Sequence, residues 1–205
     1  MTRPRLIKAA MRSADVGHLA DQIQRLEQGG IDALHFDVMD GRFVPEICMG
    51  PAFIHGLRKR TKLPFEVHLL GAEPDACLLQ YLEAGADCVV LHVETSRDPL
   101  GSLTRIRTHG SRSGLATVPG TPASSLAPYL EVCDLINVMT VVPGAPGALA
   151  AAGVQTLTDV AATVKGKNGG PLVQVDGAVS AATREQFLAA GAQSVVAGYP
   201  IFSQE

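Results

Sequence analysis

The stretch HFDVMDG, residues 35–41, places an imidazole and a carboxylate two residues apart on a short apolar run before an Asp-Gly turn. Because side chains alternate along a strand, His35 and Asp37 lie on the same face of the predicted strand. Two similar apolar runs end near His68 and Asp176. A lone histidine of this kind is more often a hydrogen-bonded strand-end residue. Four such side chains at strand ends predict a shared metal site.

Composition and charge indicate a small-molecule partner. The 205 residues are 46% hydrophobic and 18% charged, which is typical of one globular domain over residues 1–205. The net charge is -3 and the basic residues are scattered, so neither nucleic acid nor a membrane surface is expected as a partner. The four cysteines form no C-x-x-C pair, which favours reduced thiols and a cytoplasmic protein.

Short runs rich in Val, Ile and Leu alternate with longer amphipathic runs along the whole chain, which predicts repeated βα units and a parallel sheet. The eight predicted strands are Leu6–Ala10, Ala33–Val38, Phe65–Leu69, Cys88–Val93, Gly114–Val118, Leu135–Met139, Leu172–Asp176 and Ser194–Ala197. The seven predicted helices lie near Val16–Glu27, Pro51–Arg60, Pro74–Glu83, Leu100–His109, Pro122–Glu131, Val154–Val164 and Ala181–Ala189.

Eight strands at a spacing of about 26 residues favour a closed (β/α)8 TIM barrel over an open doubly wound sheet. The carboxyl ends of barrel strands carry the chemistry, and the four ligand-type residues all lie there. Glu205 is eight residues after the last predicted strand, so we expect the final helix to be absent. Uncovered apolar surface near Ile7 and Val195 would then favour a homodimer or a larger homo-oligomer.

From about Leu6 to Phe202 the chain resembles the ribulose-phosphate 3-epimerase family. The resemblance rests on several long, ordered motifs. They are HFDVMDGRFVP at residues 35–45, VHL at 67–69, GAD at 85–87, HVE at 92–94, VMTV at 138–141 followed by PG at 143–144, and VDG at 175–177. The resemblance implies a (β/α)8 barrel that epimerises a ketose or its phosphate through an enediolate.

The same resemblance assigns the site residues. It implies that one divalent metal is held by the two His and two Asp, namely His35, Asp37, His68 and Asp176, and that Asp37 and Asp176 also transfer the protons. Met39 and Met139 match methionines that line the family's active site, and the third such position is Leu70. A set of two imidazoles and two carboxylates suits zinc, iron, manganese or cobalt better than magnesium or calcium.

The chain departs from the family's pattern where the substrate phosphate is expected. The family's early Ser corresponds to Ala10, and its NPGFGGQ loop is VPGAPGA at residues 142–148. Its Asp-Gly-Gly corresponds to residues 176–178, Asp-Gly-Ala, and its Gly-Ser corresponds to Gly198 and Tyr199. The residues expected to contact the substrate's far end are therefore Gly144, Gly147, Gly177, Ala178, Gly198 and Tyr199.

Two prolines in these loops weaken the predicted phosphate site. Pro146 and Pro200 have no backbone N–H, and Tyr199 introduces a bulky ring. We therefore expect ribulose 5-phosphate to be a poor substrate and the preferred ketose to lack the phosphate or to carry another group.

Two further interpretations stay open at this point. Fold does not fix function, so the barrel could also be a non-catalytic metal-binding protein with a binding or regulatory role. His92 and Glu94 share a strand face, and they either support the metal ligands or form an ordinary hydrogen-bonded pair inside the barrel.

Overall fold

Eight parallel strands form a closed barrel in the computed structural model, which describes residues 6–145, 148–165 and 169–203. The barrel closes because β1 pairs with both the second and the last strand. A short ninth strand, β3, pairs antiparallel with β2. In chain order the strands are β1 Leu6–Ala10, β2 Ala33–Asp40, β3 Ile47–Cys48, β4 Phe65–Leu70, β5 Cys88–His92, β6 Arg112–Thr117, β7 Leu135–Met139, β8 Leu172–Asp176 and β9 Ser194–Ala197.

Helices connect most of the barrel strands, which confirms the predicted (β/α)8 TIM barrel. They are α1 Leu19–Gln28, α2 Pro51–Arg58, α3 Pro74–Glu83, α4 Pro99–Thr108, α5 Ala151–Lys165, α6 Arg184–Ala189 and α7 Tyr199–Phe202. The predicted helix near Pro122–Glu131 is instead a 3-10 helix over Ala123–Tyr129, where Pro128 lacks the N–H that an α-helix needs. No helix of the described chain is long and apolar enough to span a membrane.

Strand β2 shows how the barrel separates its two faces. Leu34, Phe36 and Val38 pack in the core layer between the strands and the helices. His35 and Asp37 alternate with them, so they point to the inside of the barrel. The apolar outer face stabilises the barrel, and the inner face is free to hold polar side chains.

In the described chain only a one-turn helix follows the last strand, so a full-length final helix is absent from the described residues, as predicted. The one-turn helix α7 follows β9, and its Ile201 and Phe202 pack against the same core cluster as Val195. Val195 is only 3% exposed and Ile7 is partly buried, so the expected bare surface near these two residues is absent. The homo-oligomer inferred from that surface loses this support and stays a prediction.

Candidate metal centre and active site

Four ligand-type side chains meet at the carboxyl end of the barrel. In the part of the chain that the structure describes, His35, Asp37, His68 and Asp176 form a group whose ligand atoms all lie within 4.8 Å of one another. The β2–β4 register places Asp37 directly beside His68. Asp176 ends β8 and reaches the same point from across the barrel. The structure thus brings together all four residues that the sequence pattern selected.

Each imidazole in this cluster faces both carboxylates. His35 Nε2 lies 3.1 Å from Asp37 Oδ1 and 3.5 Å from Asp176 Oδ2. His68 Nδ1 lies 3.3 Å and 3.5 Å from the same two oxygens. The imidazoles are completely buried and the two carboxylates almost so. Such a geometry directs two nitrogens and two oxygens at one small volume.

The electrostatics of the cluster favour positive charge within it. Burial lowers the pKa of His35, but Asp37 and Asp176 outweigh burial and raise that pKa well above its usual value. Burial raises the pKa of Asp176, but the two imidazoles hold it well below its usual range. The pKa of Asp37 is lowered for the same reason. The two carboxylates therefore stay ionised and attract a cation.

The hydrogen bond made by the outward-facing ring nitrogen of His35 indicates whether the other ring nitrogen can bind a metal ion. His35 Nδ1 lies 2.8 Å from Glu66 Oε1. Burial raises the pKa of Glu66, but Lys8, His35 and Gln174 together hold it well below its usual range. An ionised Glu66 can only accept, so His35 donates to it from Nδ1, and Nε2 is the nitrogen that would bind a metal after it loses its proton. Converging acceptors of this kind fit a divalent transition metal.

A buried amide chain orients Asp176. Gln174 Nε2 donates to Glu66 Oε1 at 2.7 Å and to Asn137 Oδ1 at 3.0 Å. Asn137 Nδ2 in turn donates to Asp176 Oδ2 at 3.1 Å. All of these groups are inside the barrel, where an unpaired polar atom is costly. The network therefore fixes the direction in which the Asp176 carboxylate points.

A cavity of about 640 Å³ opens above the cluster, and Asp37 and Asp176 line it. Met39, Leu70 and Met139 also line this cavity. These three residues belong to one apolar cluster and are buried. The structure thus gives the cavity a carboxylate floor and an apolar wall at the positions expected from the sequence.

The residues expected at the substrate's far end line the same cavity, namely Gly144, Gly177, Ala178, Gly198 and Tyr199. Gly147 and Pro146 lie outside the described residues. Tyr199 is 78% exposed, so its side chain lies at the rim and the cavity stays open.

Ala178 has an unusual backbone conformation. Its φ is +50°, and that of the preceding Gly177 is +98°. A left-handed conformation costs an alanine roughly 1 to 2 kcal/mol, and the surrounding structure must offset that cost. The Ala178 carbonyl accepts a 2.7 Å hydrogen bond from Thr183 Oγ1, which helps to fix the loop. The loop thus keeps a conformation that normally selects glycine although the residue here is alanine.

Sequence reasoning missed several cavity residues, of which Arg12 is the most distinctive. Among the described residues that line the cavity, it has the one cationic side chain. Its Nη2 donates to Glu46 Oε2 at 2.6 Å, and both side chains are over 40% exposed. Ser13, Ser180 and Thr183 add hydroxyls to the lining. Arg12 and Ser13 follow β1 directly, so the rule that barrel chemistry lies at the carboxyl ends of strands could have identified them.

Comparison with known proteins identifies the family. The family model described as the ribulose-phosphate 3 epimerase family matches residues 6–202. The chain belongs to the ribulose-phosphate 3-epimerase family. It is 37% identical to the ribulose-phosphate 3-epimerase of Rhodobacter capsulatus, over 98% of this chain and 89% of that one. It is 35% identical to the Synechocystis enzyme of the same name, over 99% of this chain and 90% of that one.

Family membership confirms the predicted class of enzyme, because these relatives are named as epimerases, which are isomerases that act on carbohydrates. A chloroplast relative from Arabidopsis thaliana, named ribulose-5-phosphate-3-epimerase, is 34% identical over 96% of this chain and 71% of its own. Among solved structures, the tryptophan synthase A-subunit from Pyrococcus furiosus matches with a TM-score of 0.68 at 13% identity, covering 99% of this chain and 91% of that one. At this identity the match shows a shared barrel fold and nothing about activity.

Proposed function

We propose that this ribulose-phosphate 3-epimerase family member is a metal-dependent 3-epimerase of a ketose phosphate. The observation that supports this best is the cluster of two imidazoles and two carboxylates on the floor of the open cavity. Epimerisation next to a ketone needs a proton carrier on each face and a means to stabilise an enediolate. A divalent transition metal held by the four residues would supply that stabilisation as a Lewis acid.

Asp37 and Asp176 are the proposed proton carriers. They extend from β2 and β8, with β9 and β1 between those strands, so they approach a bound sugar from different sides. One carboxylate accepts the C3 proton, and the other, which must first take up a proton from solvent, delivers that proton to the opposite face. The roles exchange in the reverse direction. Because carboxylates near a cation are weak bases, the reaction depends on position as well as on pKa.

The apolar wall protects the proposed intermediate from solvent. Met39, Leu70 and Met139 offer no strong hydrogen-bond donor or acceptor, so they do not compete for the substrate's polar groups. An enediolate exposed to water would take up protons at random and lose stereochemical control. We infer that these side chains contribute to the outcome of the reaction by excluding water.

The loop after β8 favours a substrate that carries a terminal phosphate. Backbone N–H groups in the loops after the last two barrel strands are the usual phosphate ligands of such barrels. Gly177, Ala178 and Gly198 line the cavity there, and Ala178 keeps its left-handed conformation. That strain is consistent with selection for a particular direction of the backbone N–H groups. Arg12 adds positive charge to the same cavity.

Pro200 favours a second candidate, an epimerase of a ketose without the phosphate or with another terminal group. It lines the cavity and has no N–H to offer. One lost charge-assisted hydrogen bond is worth roughly 1.5 to 3 kcal/mol, or about ten- to a hundredfold in affinity. On this proposal ribulose 5-phosphate binds more weakly than it would to a complete phosphate site.

Kinetics with matched substrates test both proposals. Purified protein loaded with zinc, iron(II), manganese or cobalt is given ribulose 5-phosphate or ribulose, and NMR follows product and deuterium uptake at C3 from heavy water. The main proposal predicts exchange and epimerisation with a higher kcat/KM for the phosphate. A higher kcat/KM for ribulose favours the second candidate. Absence of exchange from these and other ketoses with every metal contradicts both and leaves the non-catalytic barrel.

A further inference from the structure

A hydrogen-bond chain leads from His68 away from the candidate metal centre, and its two histidines are fully buried. His68 Nε2 lies 3.0 Å from Nε2 of His92, at the end of β5. His92 Nδ1 lies 3.0 Å from Glu94 Oε2. The His92 side chain is fully buried, and the Phe43 ring packs 4.9 Å from its ring. These hydrogen bonds therefore connect His68, a proposed metal ligand, to the Glu94 carboxylate, which is not part of the cluster.

The far end of this chain determines where its protons lie. Glu94 Oε1 accepts from the backbone N–H of Val118 at 2.9 Å and from the Thr121 hydroxyl. The second oxygen of this carboxylate is left to accept from His92, so His92 carries its proton on Nδ1. A neutral His92 then has only Nε2 free, and this atom accepts.

The remaining step fixes the state of His68. Because His92 Nε2 accepts, His68 donates from its own Nε2. When His68 carries a single proton, as a metal ligand does, that proton is therefore on Nε2 and the lone pair is on Nδ1, the atom that lies 3.3 Å from Asp37 in the cluster. The tautomer that the chain imposes on His68 is the one that a metal ligand requires.

We propose that Glu94 and His92 are positioning residues that hold His68 in the tautomer whose Nδ1 lone pair faces the candidate metal centre. This inference rests on the proposed metal-dependent function, and it goes beyond the four ligands. Neither residue belongs to the cluster of candidate ligands. Hydrogen-bond partners of metal-binding histidines typically contribute ten- to a hundredfold in metal affinity.

Glutamine at position 94 keeps the shape of the side chain but exchanges the donor and acceptor roles along the hydrogen-bond chain. The Val118 N–H can only donate, so it turns the amide oxygen of the new side chain towards itself. The amide NH2 then faces His92 Nδ1, which must accept, and His92 moves its proton to Nε2. His68 must accept in turn, so its proton moves to Nδ1 and blocks the lone pair.

Two measurements test the inference. Nitrogen-15 NMR of the histidine rings reads the tautomer of His92, which is one step removed from the cluster. Titration calorimetry with zinc ions on chelator-treated protein gives the affinity. We expect Nδ1–H in the parent, Nε2–H in Glu94→Gln, and ten- to a hundredfold weaker zinc binding in that variant. An unchanged His92 tautomer with unchanged zinc affinity overturns the inference.

Thr121→Val is the matched control. It removes one donor to Glu94 but leaves the carboxylate and the Val118 N–H, so both the His92 tautomer and the zinc affinity should stay at their parent values. A tautomer change in this control would contradict the inference, because the loss of a hydroxyl does not reverse the chain.

A second pair of variants covers the case in which Glu94→Gln fails to fold. His92→Gln still offers His68 an acceptor oxygen, whereas His92→Leu offers none. Zinc binding that is close to parent in the first and at least tenfold weaker in the second supports the inference, and equal affinities overturn it. A parent protein that binds no zinc contradicts both this inference and the proposed function. A zinc-binding parent with unaffected variants contradicts this inference alone.

Discussion

Replacing Lys8 with methionine is expected to lower the free energy of unfolding by about 3 kcal/mol or more, because it leaves the Glu66 carboxylate buried without its cation. Lys8 is 4% exposed and Glu66 is 2% exposed, and the two side chains form an ion pair inside the barrel. Removal of one member of a buried pair typically costs about 3 to 5 kcal/mol. Glu66 keeps hydrogen bonds to His35 and Gln174, which places the expected loss at the lower end of that range.

Urea unfolding of the metal-free protein, followed by circular dichroism, measures this loss. With a urea dependence of about 2 kcal/mol per molar, 3 kcal/mol shifts the midpoint by about 1.5 M. Arg97→Met is the control, since the Arg97–Glu73 pair is exposed and should contribute less than about 1 kcal/mol. Adding Glu66→Gln to Lys8→Met should recover part of the loss, because the neutral amide needs no counter-ion.

A Lys8→Met variant whose stability is within about 1 kcal/mol of the parent would refute this reasoning. A cavity of about 160 Å³ at the other end of the barrel is lined by both Lys8 and Glu66. Water in that cavity could then hydrate the carboxylate as well as Lys8 does, and the pair would have to be treated as partly solvated.

Three further predictions concern the cluster and its support. His68→Ala should abolish tight metal binding, and a full equivalent of retained metal in elemental analysis would remove His68 from the ligand set. Asp37→Asn and Asp176→Asn should each lower kcat by about 10² to 10⁴, and an undiminished epimerisation rate by NMR in either variant would assign proton transfer to another residue. Because the pKa of Glu66 is lowered in the folded protein, its ionised carboxylate stabilises the fold at pH values above 4.5, the ordinary pKa of glutamate. This stability is lost as the pH falls from 4.5 towards the folded-state pKa. The urea midpoint of the metal-free parent should therefore decrease as the pH is lowered below about 4.5. If the midpoint of Glu66→Gln shows the same pH dependence, Glu66 is not responsible.

Much of the fold could be predicted from local sequence patterns. Leu6–Ala10, Leu135–Met139, Leu172–Asp176 and Ser194–Ala197 are strands with the predicted bounds. Each is a short apolar run bounded by turn-forming or helical residues, and such runs are buried on both faces in a parallel barrel.

The candidate ligands could also be selected from the sequence alone. A strand alternates its side chains with a fixed period of two, so His35 and Asp37 had to share a face. Both residues lie near the carboxyl end of their strand, and in a barrel the carboxyl ends of all the strands meet at one site. Local periodicity together with one fold rule therefore pointed to all four members of the cluster, and the family resemblance assigned them as the ligand set.

The tertiary structure decided what the local patterns could not. Glu66 and Gln174 are 108 residues apart in the chain, and their hydrogen bond exists only because the closed barrel brings β4 and β8 to the same interior. The β2–β4 register, which sets Glu66 beside His35, determines which nitrogen of His35 faces the cluster. Val195 is buried in the core cluster against which residues of α7 also pack. These outcomes depend on register and packing between distant segments, whereas local periodicity reports only which side chains of one segment share a face.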